Sequence, residues 1–172
     1  MRQPYPLPCN PINYRNGMVF DWENGRQLKS VTKDNVTSTY TYNSDGMRTQ
    51  KSASDGNTKY YYDGNDNLIA SWFDNNTSNI SVDDVTLYFF YDSNGSPVAC
   101  QYGSGARYYY VKNLQGDVEK IVTDQGEVIV SYTYDAWGNI LSQTDYSTFN
   151  LATRNPFGYR GYVYDNETGL YY

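Results

Sequence analysis

No histidine occurs anywhere in the 172 residues. That absence excludes a Ser-His-Asp triad, a Cys-His nucleophile pair and any His-ligated zinc. No GxxxxGK[ST] loop is present to cradle nucleotide phosphates. Cysteine is scarce. Cys9 and Cys100 form no CxxC pair, and their spacing leaves two thiols or one disulfide open. No apolar run approaches the roughly 18 residues of a membrane-spanning helix. The N-terminal MRQPYPLPC has one Arg and no apolar stretch, so no signal peptide is expected in this chain. Basic residues are also in deficit. Thirteen Lys and Arg against nineteen Asp and Glu give a net charge of −6. That balance opposes general affinity for nucleic acid or anionic membranes, which requires basic groups to neutralise phosphates. Runs at i, i+3, i+4 are missing too, so no helix is expected.

Tyrosine is abundant. There are 21 Tyr and 14 Gly, and aromatics make up 17% of the chain, which argues against disorder. Tyr suits half-buried positions on a pleated sheet. A unit recurs: aromatic, any residue, aromatic, Asp or Asn, polar residues with Gly, then an apolar residue. Clear copies are Tyr40-Thr41-Tyr42-Asn43 with Gly46, Tyr60-Tyr61-Tyr62-Asp63 with Leu68, and Phe89-Phe90-Tyr91-Asp92 with Gly95. Two more are Tyr132-Thr133-Tyr134-Asp135 with Gly138 and Ile140, and Tyr162-Val163-Tyr164-Asp165 with Gly169 and Leu170. Weaker copies are Phe20-Asp21 with Gly25 and Leu28, and Tyr108-Tyr109-Tyr110 with Gly116 and Val118. Most copies lie near twenty residues apart. Two longer gaps contain polar segments, Asp74 to Asp84 and Ser142 to Pro156, which read as loop insertions.

The unit has a mechanical reading. Residues i and i+2 of a strand face one side, so Tyr42, Tyr62, Tyr91, Tyr134 and Tyr164 should build one sheet face. Asn43, Asp63, Asp92, Asp135 and Asp165 should set the turns by bonding backbone N–H groups in Asx turns. Gly138 and Gly169 should supply positive φ where the hairpins turn. The expected fold is all-β: an antiparallel meander of hairpins forming an open, curved, twisted sheet. Such units cannot bury their tyrosine face alone and must stack on neighbours. Free sheet edges predict self-association.

These residues resemble the Tyr-Asp (YD) repeats of the Rhs, WapA-like and teneurin family. Tyr108 to Val122 (YYYVKNLQGDVEKIV) with Tyr132 to Ile140 (YTYDAWGNI) is similar to the opening of the Rhs-repeat-associated core. Asn155 to Tyr172 (NPFGYRGYVYDNETGLYY) is similar to its middle. The resemblance divides the chain into an irregular segment 1–17, YD repeats over 18–107 and an incomplete core over 108–172. It implies a segment of a spiralling shell that encloses a C-terminal toxin or effector. The partners it implies are the rest of the shell and that cargo, with secretion or cell-surface display of the full-length protein. Family members continue past the GLYY element into a self-cleaving segment. The chain is therefore expected to be a piece of a longer protein and not an enzyme.

Other chemistries fit less well. The pairs Asp83 with Asp84, Asp117 with Glu119, and Asp124 with Glu127 fall in expected turns or solvated strand ends, so no catalytic residue is assigned. Asp63-Gly64-Asn65-Asp66-Asn67, with Asp74 at position 12, has oxygen ligands in calcium-loop order. Leu68 stands where that loop requires Gly, so no metal or cofactor is expected. The alternative function is a carbohydrate-binding repeat module with Trp22, Trp72 and Trp137 as sugar platforms.

Overall fold

The computed structural model describes residues 10–14, 17–76 and 84–171. Thirteen strands form a single antiparallel sheet in strict sequence order. They are β1 (Asn13–Tyr14), β2 (Met18–Glu23), β3 (Gln27–Lys33), β4 (Val36–Tyr42), β5 (Arg48–Ala53), β6 (Gly56–Tyr62) and β7 (Leu68–Asp74). After residues 77–83 follow β8 (Val85–Tyr91), β9 (Pro97–Tyr102), β10 (Arg107–Lys112), β11 (Val118–Val122), β12 (Val128–Tyr134) and β13 (Ile140–Asp145). The sheet is open, and β9 pairs with β10 directly across residues 107 and 108. Four short elements of the described residues lie outside it: a one-turn helix α1 (Leu151–Arg154), a 3-10 turn at Tyr159–Gly161, and the paired strands β14 (Tyr164–Asp165) and β15 (Leu170–Tyr171). The helix corrects the expectation of a helix-free chain.

Alternation explains the two faces. In β4, Ser38 and Tyr40 are buried while Thr37, Thr39 and Thr41 are exposed. Cross-strand partners share a face, so the register carries this pattern along the sheet: Tyr40 opposes Lys51, Lys51 opposes Thr58, and Tyr60 opposes Ser71. The inner face holds Phe20, Val31, Tyr60, Phe73, Leu87, Phe89, Ile121 and Val130. The outer face is hydroxyl-rich. Thr133 and Ser142 side chains meet at 2.7 Å, as do Ser131 and Thr144.

One turn geometry recurs along one rim. The Asp63 carboxylate accepts the N–H groups of Asn65 and Asn67, both at 2.9 Å. Asp92 holds Asn94 and Ser96 in the same way, and Asp135 holds Trp137 and Asn139. Asn43 does so with its amide oxygen toward Asp45 and Met47. Asn113 makes the same turn with Gln115 and Asp117, a site the repeat pattern did not mark. The fourth position requires positive φ, which Gly46, Gly95, Gly116 and Gly138 supply. In the Asp63 turn, Asp66 takes that conformation instead (φ 64°).

These bonds hold the acids charged. The side-chain amide of Asn67 and neighbouring N–H groups keep Asp63 below the usual carboxylate range. The N–H of Ser96 does so for Asp92, and the Asn139 amide for Asp135. A lowered folded pKa contributes stability above the unfolded value, near 4, and that stability is lost as pH falls through the folded value. Asp135→Leu should therefore lower Tm at neutral pH and flatten its fall below about pH 4. An unchanged melting curve at both pH values would count against the turn assignment.

A second regularity interlocks successive hairpins. Tyr62 Oη donates to the carbonyl of Arg48 at 2.9 Å, and Tyr42 to that of Leu28 at 2.9 Å. Tyr91 reaches the carbonyl of Leu68 and Tyr134 that of Val118, each at 2.8 Å. Each tyrosine thus ties its hairpin to the preceding one. Burial pushes the Tyr91 phenol up to about 12, so it remains a protonated donor at neutral pH. Trp22 occupies the same rung, donating Nε1–H to the carbonyl of Pro11 at 2.8 Å. Lys112 takes the rung in β10 and donates to Ser96 Oγ at 2.7 Å. The weak repeats are therefore in register at Trp22 and Lys112, not at Phe20 and Tyr110. Tyr62→Phe should cost about 1–2 kcal/mol by stranding one carbonyl, a Tm fall of roughly 2–8 °C. Tyr61→Phe, one residue away on the outer face, should be silent; equal effects would rule out the ladder as the cause.

Candidate functional site

The chain leaves the sheet after β13 and folds back over the inner face. Asp145 directs the reversal. Its carboxylate accepts the N–H of Ser147 at 2.8 Å and of Ala152 at 2.7 Å. Asn150 adopts a left-handed conformation (φ 55°) immediately before α1. Ser142 to Pro156 is thus no surface loop: it completes β13 and then seats Phe149, Leu151 and Ala152 in the core. Phe149 stacks on Tyr102 at 4.2 Å between ring centroids. Tyr132 donates its hydroxyl to the carbonyl of Ala152 at 2.9 Å. Arg154 lies over the Phe73 ring and pairs with Asp55 at 3.0 Å.

Phe157 is the hub of this cover. Its ring stands edge-on to Phe89 at 5.2 Å, and to Tyr91 and Tyr110 at 6.1 Å. Asn155 fixes the approach. It accepts the Tyr110 hydroxyl at 2.8 Å and donates to the carbonyl of Phe157 at 2.6 Å. Beyond the hub, Val118 N–H reaches the carbonyl of Gly158, and Arg160 N–H reaches buried Asp117 at 2.8 Å. Gly138 is required here twice. Its φ is 87°, and a Cβ would stand 2.7 Å from the Tyr159 ring. Its carbonyl also accepts the Tyr171 hydroxyl at 2.7 Å.

The last hairpin is held by charge. Arg48 Nη1 lies 2.7 Å and 2.9 Å from the two oxygens of Asp165, with the Arg48 side chain only 1% exposed. Lys51 pairs with Glu167 at 3.0 Å and lies 3.9 Å from Asp165. Tyr40 donates to Glu167 at 3.3 Å, and the Arg48 guanidinium sits 4.1 Å from the centre of its ring. Burial, followed by the two acids, raises the Tyr40 phenol far above its ordinary value, so it acts only as a donor. The repeat pattern contained one trace of this cluster. Arg48 stands where other copies begin the return strand with an apolar residue such as Leu28, Leu68 or Ile140.

The repeat residues fall into two groups. Tyr42, Tyr62, Tyr91 and Tyr134 line the inner face as rungs, with Asn43, Asp63, Asp92 and Asp135 at their turns. Tyr164 and Asp165 differ. They belong to β14, outside the sheet, because the chain has already reversed at Asp145. The Asp165 side chain is buried against Arg48 instead of closing a turn, and Gly169 (φ 72°) turns β14 into β15.

The three tryptophans do not share a platform. Trp22 faces inward beside Phe20, Trp72 faces outward under the Lys59 ammonium, and Trp137 projects from a rim turn. Among the described residues no cluster of three His, Cys, Asp or Glu side chains is placed to hold a metal ion. No helix of the described residues is long and apolar enough to cross a membrane. Cys100 is a buried thiol pushed up to about 12 by burial, whereas Cys9 and Asp83 lie outside the described residues.

A single open sheet of interlocked repeats, with its aromatic face covered by its own C-terminal segment, defines a shell-type scaffold. The family model described as Teneurin YD-shell matches residues 81–172, and the chain belongs to this Rhs/YD-shell family. It is 33% identical to the tRNA3(Ser)-specific nuclease WapA of Bacillus spizizenii and 34% identical to the tRNA nuclease WapA of Bacillus subtilis. Each match covers 90% of this chain but 6% of the relative, so the chain spans a small part of those proteins. Among solved structures, the TcdB2-TccC3-Cdc42 crystal structure superposes with a TM-score of 0.70 at 20% identity, over 94% of this chain and 8% of that one. The Photorhabdus luminescens Tc holotoxin pore superposes at 0.69, also at 20% identity and with the same coverage. These likenesses carry the fold.

Proposed function

We propose that this chain is a wall segment of an Rhs/YD-repeat shell that encloses a C-terminal toxin or effector, and that it acts by enclosing and excluding, without chemistry of its own. The observation that carries the reading is the asymmetry of the sheet. One face is a continuous, buried aromatic lining with hydroxyl rungs, while the other is solvent-exposed and mixed, with threonine and serine toward its two ends and half-exposed rings between them. A wall needs such a pair of faces, one to pack against interior segments and one to meet water. The partners are then the remainder of the shell and its cargo, and the full-length protein is secreted or displayed at the cell surface. Reading the native gene past the codon for Tyr172, then digesting the purified product with protease, tests this. A downstream domain that resists protease until the shell is unfolded supports enclosure. A stop codon directly after Tyr172, or a downstream domain cut at once, overturns it.

Carbohydrate binding is the second reading, and the outer face favours it at a place other than the three tryptophans together. Tyr61, Tyr88 and Tyr109 are half-exposed there beside Phe90 and Trp72. Ala70 lies between Tyr61 and Tyr88 in the register, and Ala99 between Phe90 and Tyr109. Ring faces with polar tips suit an amphipathic sugar. Glycan titration followed by tryptophan fluorescence should show a saturable change that Tyr88→Ala removes; a flat titration sinks the reading.

A further inference from the structure

The two ends of the sheet are built differently. β1 has two residues, Asn13 and Tyr14, too few to offer a long pairing edge. β13 has six, Ile140 to Asp145, and is bonded on one side alone among the described residues. It carries no Lys, no Pro and no inward charge left free, and its one β-bulge, at Leu141, leaves Ser142 to Asp145 in regular pairing with β12. Its one charged residue, Asp145, is occupied with the N–H groups of Ser147 and Ala152. Around the strand stand Leu141, Tyr146 and Trp137, at 67%, 73% and 85% exposure.

We propose that β13 is a self-complementary docking edge that pairs antiparallel with β13 of a second copy of this chain. The register follows from the backbone. Tyr146 N–H bonds to the carbonyl of Ile129, so the N–H groups of residues 146 and 144 point to β12. Those of Gln143 and Asp145 point away from it. A twofold axis through Gln143 then pairs Gln143 with the same residue of the other copy, amide against amide. Ser142 falls opposite the other copy's Thr144, and Thr144 opposite its Ser142. Those are the same hydroxyl pairs the sheet already uses at 2.7 Å, Thr133 with Ser142 and Ser131 with Thr144. The outer-face ladder thus continues across the axis without a break. Charge agrees: antiparallel pairing sets Asp145 opposite Leu141, whereas parallel pairing would set Asp145 against Asp145. The edge of one copy, with Leu141 beside the Tyr146 end of the other, also covers apolar surface that is otherwise bare.

The inference rests on the edge alone and stands apart from the enclosure reading. Sedimentation velocity across a concentration series should show a monomer–dimer equilibrium. Hydrogen exchange at the Gln143 and Asp145 amides should slow as the dimer fills, while those at Ser142 and Thr144 stay unchanged. Gln143→Lys sets two ammonium groups together at the axis and should abolish the dimer, with Tm and circular dichroism kept. Gln143→Pro removes an N–H that has no partner in the monomer sheet and should act likewise. A monomer at every concentration overturns the proposal, as does a dimer that both variants retain.

Discussion

Replacing Arg48 by Met is expected to destabilise the fold by about 3–5 kcal/mol, because it leaves the Asp165 carboxylate buried without the guanidinium whose Nη1 bonds both of its oxygens. For a chain of this size that corresponds to a Tm fall of roughly 6–20 °C. The lower end is favoured by Lys51, whose ammonium lies 3.9 Å from Asp165 and can take part of the charge. The loss is a broken pair and not a missing contact, which a second substitution separates. Arg48→Met with Asp165→Leu removes both charges from the inner face. Burying two apolar side chains there avoids the desolvation that the ion pair must overcome, so the double variant should regain most of the lost stability. Denaturant melts of the wild type, both single variants and the double variant form the cycle that measures the coupling. If the double variant is as unstable as the sum of the singles, the pair is not what holds the last hairpin.

Phe157→Ala should cost a comparable amount, about 3–5 kcal/mol, by opening a cavity at the centre of the cover. Three rings, Phe89, Tyr91 and Tyr110, lose their edge-on partner together. Edge-to-face pairs contribute about 0.5–1.5 kcal/mol each beyond burial, so the estimate belongs in the upper half of that range. The sheet retains its own hydrogen bonds, and the damage should be local first. Exchange of the amides between residues 146 and 171 should quicken well before that of β4 to β7. Equal quickening of the cover and of β4 to β7 in this variant would show that Phe157 is not the hub of the cover. Phe157→Leu, which keeps much of the volume and no ring, should fall between the variant and the wild type.

The repeating part of this architecture is written locally, and so it can be read locally. Tyr62 and Asp63 are adjacent in the chain, and period-two alternation with a turn acid defines the strand and its reversal without distant information. Register at the weak copies is different. Following aromatic identity points to Phe20 and Tyr110, whereas distance to the turn residue assigns Trp22 and Lys112 to the rung. A rung needs a donor of the right reach, not an aromatic ring as such. The cover was harder to see. Ser142 to Pro156 is polar in composition, and polarity reads as loop until Asp145 is seen capping two N–H groups of the returning chain. Arg48 and Asp165 are 117 positions apart, and no local pattern joins them. A charge at a position that the other repeats fill with an apolar residue was the available signal, and it named one partner without the other.

The covering segment changes how the sheet comes apart. A meander in which each hairpin bonds only to its neighbours would fray from either end, like a zip with two open tails, and would melt over a broad range. Here residues near the start of the sheet, Tyr40, Arg48 and Lys51, are tied to the same short segment that grips β8, β10, β11 and β12. The chain of neighbours becomes a closed circuit. Opening any one hairpin between β4 and β12 must stretch the tie as well, so local fluctuations there are charged against contacts at the far side of the molecule. The free tail shrinks to β1–β3, and with Phe157 in place the stretch from β4 to β13 should unfold in one step.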